Sequence, residues 1–74
     1  MLEKRLREQL AQHLKHYVKW FDDYDPTEMP NDETIRDIYR WMSSELQTVV
    51  ELKHFSLLFT MRLTHYRETK KGNK

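Results

Sequence analysis

This chain has almost nothing with which to turn. Its single glycine is Gly72, and its two prolines, Pro26 and Pro30, stand close together in the stretch DDYDPTEMPND. Glycine and proline are the strongest local breakers of regular structure. One connection between long elements is therefore all the punctuation that the 74 residues carry.

The residues before that connection read as a helix. Leu6, Leu10, Leu14, Tyr17, Phe21 and Tyr24 recur at steps of four, four, three, four and three, one stripe of a helix over about residues 2–22. Good helix formers fill the gaps between them. Pro26 and Pro30 cannot continue it, and Asn31 or Asp32 after Pro30 is a natural N-cap for a second helix. Asp32 and Glu33 would lie near that helix's positive end, so the six carboxylates from Asp22 to Glu33 have an ordinary explanation as a solvated, cap-rich loop.

The second helix carries Ile35, Tyr39, Met42, Leu46 and Val49 at the same seam spacing. The register then slips, because the seam would next want Lys53 and Ser56 while the apolar residues lie at Val50, Leu57 and Met61. Beyond the slip, HFSLLFTMRLTHY reads two ways. As a helix, Phe55, Phe59, Leu63 and Tyr66 share one side while Leu57 and Met61 point away, and both sides need a cover. As a strand, Phe55, Leu57, Phe59, Met61 and Leu63 alternate with Ser56, Thr60, Arg62 and Thr64.

No breaker separates this segment from the second helix, and the chain offers no other strand for it to pair with. The expected fold is all-α, an antiparallel helical hairpin with a long second helix, homodimeric through Phe55, Leu57, Phe59, Met61 and Leu63. The alternative is two helices followed by a strand over residues 54–66, paired between chains. Residues 1–68 would form the single domain, with 69–74 a disordered basic tail. A chain this short buries only about 60% of the surface exposed when unfolded, and it has no cysteine to staple a fold. Self-association would help it.

Composition also restricts chemistry. There is no cysteine nucleophile and no glycine-rich phosphate loop, and Ser43 and Ser44 fall inside a helical pattern where a nucleophile elbow cannot form. Catalysis is not expected, nor is a cofactor. His13 and His16 are three apart on a helix, yet nearby Glu8 and Gln9 complete a metal site poorly. The acidic run starting at Asp23 has Glu28 where a calcium loop needs glycine and Thr34 where it needs glutamate. No metal is expected. The N-terminal segment MLEKRLREQL lacks the apolar core of a secretion signal, and the nearly uncharged run from Phe55 to Met61 falls far short of the roughly 20 residues a membrane span requires. A cytoplasmic protein is expected.

What remains is surface. Trp20, Tyr24 and Trp41 lie off or at the ends of the apolar stripes, beside Asp22, Asp23 and Asp25, and form an acidic, aromatic end suited to a basic protein target. The expected function is a small non-enzymatic regulator that binds another protein of unknown identity, as adaptor, inhibitor or accessory subunit. The alternative is a nucleic-acid-binding regulator, with Arg62, Arg67, Lys70 and Lys71 joining Lys4, Arg5 and Arg7 in one basic patch and Tyr66 available to stack. Net charge is only +1, so this reading depends on the termini meeting at one end.

Overall fold

The first helix, α1, spans Lys4–Tyr24 and buries Leu6, Leu10, Leu14, Val18 and Phe21. The computed structural model describes residues 3–72, with side chains described through Lys70. Two of the expected stripe residues sit elsewhere: Tyr17 is half-buried on a flank and Tyr24 is exposed. A two-helix seam would hold a spacing near 3.5 residues, whereas α1 is covered by two neighbours and presents a wider, straighter face. Val18 takes the central place as a result.

Asp25 N–H still reaches Phe21 O at 2.8 Å, and Pro26 then stops the helix. α2 spans Asp32–Arg40 with Asn31 as its cap, the side chain accepting from Thr34 N–H at 2.8 Å. Its last turn tightens, with Trp41 N–H 3.2 Å from both Asp37 O and Ile38 O and Met42 N–H 3.1 Å from Tyr39 O. There α2 ends, with no glycine or proline to end it.

The break is made by side chains. Ser43 caps the short helix α3, Ser44–Val49, by accepting from Leu46 N–H at 3.2 Å. Gln47 Nε2 donates to Arg40 O at 3.1 Å and Met42 O at 2.8 Å, taking up carbonyls that the end of α2 leaves free. The Tyr39 hydroxyl does the same for α3, its hydrogen shared between Val50 O and Gln47 O. Val50 is extended, at φ −119° and ψ 116°, and buried, so Val49 turns outward.

α4, Leu52–Gly72, resolves the ambiguous segment as helix; the strand alternative over residues 54–66 is overturned. Phe55, Phe59 and Leu63 are completely buried on one side, and Leu57 and Met61 are 58% and 59% exposed on the other. The alternation arises because a two-residue step takes the helix roughly halfway round. Thr60 and Thr64 hydroxyls, which look strand-like in sequence, donate back to Ser56 O at 3.1 Å and Thr60 O at 2.9 Å. Helix also continues through residues 69–72, where a disordered tail is expected; residues 73 and 74 lie outside the described ones.

The hairpin expectation is corrected as well. α2 and α3 together run back along α1, as the 2.9 Å contact of Arg5 with Glu45 at one end and the cleft shared by Phe21 and Thr34 at the other require. α4 then reverses again and lies parallel to α1. Leu6 and Leu10 neighbour Val50 and Leu58, while Asp22 meets Arg67 and Lys70. Three legs surround one core, in which Phe55, Phe59, Leu14, Ile38 and Leu63 are the largest fully buried side chains. Burying each such side chain stabilises the fold by about 1.5–3 kcal/mol.

Candidate functional site

The end of α1 has two sides, and the chain treats them differently. On one side, Asp22 is 2% exposed, and its carboxylate accepts from Arg67 Nε at 2.8 Å and Lys70 Nζ at 2.8 Å. Those two hydrogen bonds, Lys70's first and Arg67's second, hold the carboxyl below its usual range against the burial that would raise it. Arg67 also donates to Asp25 O at 2.7 Å and lies over the Phe21 ring at 5.9 Å. A cation at the C-terminus of α1 complements the helix dipole there. This is a joint between α1 and α4.

Asp22, expected to meet a partner, is thus internal. Asp23 is exposed and pairs with Lys19 at 2.9 Å, and the Asp25 carboxylate takes the Thr27 hydroxyl at 3.4 Å. Arg67 and Lys70, expected to contact nucleic acid, are committed to Asp22. Arg62 stays exposed and lines a groove of about 340 Å³ between α1 and α4 with Lys15, His65 and Tyr66. The side chain of Lys71 lies outside the described residues. Because α1 and α4 are parallel, Lys4, Arg5 and Arg7 lie at the far end of the molecule from Arg67 and Lys70, and the single basic patch does not assemble. Of the residues expected to hold a dimer, Phe55, Phe59 and Leu63 are consumed by the chain's own core, leaving Leu57 and Met61 outside.

On the other side of α1, Tyr17, Trp20 and Tyr24 are spaced one turn apart, and the end of α2 delivers Trp41 to them. Tyr17 and Trp41 centroids are 5.3 Å apart, and Trp20 and Trp41 meet edge to face at 5.9 Å and 84°. Trp20 and Tyr24 are nearly parallel, at 6.1 Å and 8°. These separations lie in the favourable range for aromatic pairs. Yet Trp20, Trp41 and Tyr24 remain 41%, 52% and 77% exposed. The three lie at the edge of the core and do not fill it.

The two indoles divide the surface into two clefts. One, of about 390 Å³, is lined by His16, Tyr17, Trp20 and Trp41. The other, of about 300 Å³, is lined by Trp20, Phe21, Tyr24, Thr34, Asp37 and Trp41. A broader hollow of about 870 Å³ along Arg5 to Tyr17 has only α1 side chains for walls, which makes it an open helix flank.

Sequence reasoning picked out Trp20, Tyr24 and Trp41, placed Tyr17 on the core stripe, read His13 as a partly exposed histidine flanking the seam, and missed Asp37. His13 Nε2 donates to Ile38 O at 2.8 Å, since a carbonyl only accepts, and its ring packs on Tyr17 at 4.6 Å. Burial pushes its pKa below the ordinary 6.5, with the Ile38 hydrogen bond opposing. The signal was present in its place between Leu10 and Leu14, on the flank of a stripe wider than a coiled-coil seam. His16 packs on the same tyrosine, at 4.7 Å. Among the described residues no three His, Asp or Glu side chains gather to hold a metal, and no helix is long and apolar enough to cross a membrane. No protein-family model, curated protein or solved structure matches this chain.

Proposed function

We propose that this chain is a small non-enzymatic protein-binding module, serving as an adaptor, inhibitor or accessory subunit, and that it docks its partner through the Trp20–Trp41 face. One observation carries the reading. Two tryptophans from different helices are brought into edge contact and then left about half in water. Large, rigid, amphipathic rings of this kind give the most contact area for the least ordering cost, and they dominate protein interfaces. The exposed carboxylates Glu28, Asp32 and Glu33, which hold no ion pair among the described residues, favour a basic target.

The experiment is interaction mapping with matched variants. A partner enriched by the native chain, then purified, should bind it directly and lose at least about tenfold in affinity with Trp20→Ser or Trp41→Ser. Leu57→Ser, on the opposite surface, should bind as the native chain does. Equal loss for all three, or no loss for the tryptophans, contradicts the proposal.

Nucleic-acid binding is the second reading, favoured by Lys15, Arg62 and His65 around the α1–α4 groove, none of which holds an ion pair among the described residues. Affinity for single-stranded nucleic acid that falls steeply with salt and drops with Arg62→Gln would favour it. Indifference at low salt removes it.

A further inference from the structure

The cleft on the α2 side of the indole pair has walls of one kind and an edge of another. Trp20 and Tyr24 stack nearly parallel, within 8°, and Trp41 stands at 84° to Trp20 as a wall beside them. Phe21 lies at the base. Along the rim are Thr34 and Asp37. Asp37 is exposed and, among the described residues, its carboxylate has no ion pair or hydrogen bond, although Arg36 and Arg40 stand near it on the same helix. The exposed carboxylates Glu3, Asp23 and Glu45 hold paired cations; Asp37 does not, and among the exposed carboxylates without one it is the residue that lines this cleft.

An aromatic corner with a free carboxylate on its rim has a specific complement. The faces of tryptophan and tyrosine attract cations through the ring quadrupole, and a carboxylate accepts two parallel N–H bonds from a guanidinium. A planar guanidinium can satisfy both at once, because it stacks flat and presents its donors at the edge. A compact ammonium does so less well.

Resting on the docking reading above, we infer that the Trp20–Tyr24–Trp41 cleft receives an arginine side chain of the partner, stacked on the rings and hydrogen-bonded to Asp37. The exposed Glu28, Asp32 and Glu33 on the connection and the first turn of α2 add a long-range attraction for the basic segment that carries that arginine. His16, on the far side of the indole pair, takes no part.

The chain reports on this site by itself, because its two tryptophans both lie there. The intact protein is titrated, with tryptophan emission as readout, against a glycine-spaced arginine peptide, its lysine counterpart, and a citrulline version that keeps the shape without the charge. A leucine-rich amphipathic peptide free of arginine is the fourth probe. The expected result is saturable binding of the arginine peptide, weaker binding of lysine and none of citrulline. Asp37→Asn should weaken the arginine complex about fivefold, and Trp41→Ala about tenfold. Trp41→Phe, which keeps a ring, should lie between.

Equal binding of citrulline, equal binding of lysine, or an Asp37→Asn variant that binds normally overturns the inference. Binding of the leucine-rich peptide alone also overturns it, while leaving the docking face standing. If no probe perturbs either indole, the arginine inference is overturned, while the docking face is decided by the partner-binding variants above.

Discussion

The two sides of the last turns of α1 are one residue apart in sequence and opposite in character. Phe21, Asp22 and the Asp25 carbonyl face inward, where Arg67 and Lys70 complete every polar group. Trp20 and Tyr24 face outward, beside Trp41 and an unpartnered Asp37. Composition does not separate the sides, since each is aromatic and acidic. The difference is whether the chain supplies the complement: where it does, the residues are a joint, and where it does not, they are left for another molecule.

The largest test removes the core on which both sides rest. Phe59→Asp places a charge where no water reaches and should unfold the chain, seen as loss of far-ultraviolet ellipticity, whereas Met61→Asp on the same helix should change stability by no more than about 0.5 kcal/mol. Comparable effects of the two would mean that α4 does not present the faces described.

The joint comes next. Asp22→Ala strands Arg67 partly buried without its carboxylate and should cost about 2–3 kcal/mol, a fall of roughly 10–20 °C in Tm for a domain of this size. It should leave binding at the Trp20–Trp41 face intact once the protein is folded. A variant with native stability would show the joint to be incidental.

A smaller effect depends on pH. His13 is held below its ordinary 6.5, so as pH falls the unfolded chain takes up that proton first. Stability contributed by neutral His13 is complete above about 6.5 and is lost as pH drops into the interval below. Asp22, held below 3.8, acts in the same direction only at lower pH, so a denaturant series from about pH 7.5 to 5 isolates the histidine. His13→Gln, which keeps a donor for Ile38 O, should flatten that slope. An unchanged slope would place the titrating group elsewhere.

Smaller stability effects than the joint's should belong to the residues with the largest proposed effect on binding. Trp20→Ala and Trp41→Ala should each cost about 1–2 kcal/mol in chemical denaturation, since each loses its aromatic contacts but only about half of a ring's area is buried. A loss comparable to that of Phe59 would make the indoles core residues.

Much of this was legible from residue spacing. The α1 stripe, the stop at Pro26 and Pro30 and the Asn31 cap follow from local rules, and the off-stripe positions of Trp20 and Trp41 marked them as surface rings. The register slip at Val50 marked a stutter, bend or helix end where α3 in fact gives way to α4, but the earlier break between α2 and α3 was not legible by the same rules, because its one local signal is a lone capping residue, Ser43. Gln47 and Tyr39 then take up the free carbonyls from a distance. That extra reversal makes α1 and α4 parallel. It alone decides that Asp22 meets Arg67 across 45 residues, that the basic termini separate, and that Phe55, Phe59 and Leu63 close on their own chain.

The most direct measurement is a nuclear Overhauser spectrum of the two indole rings. The account predicts cross-peaks between Trp20 and Trp41 and from Trp41 to Tyr17, with none from either indole to Phe59 or Leu63. Cross-peaks linking an indole to those core side chains, or none between the two indoles, would contradict an open face assembled from α1 and α2.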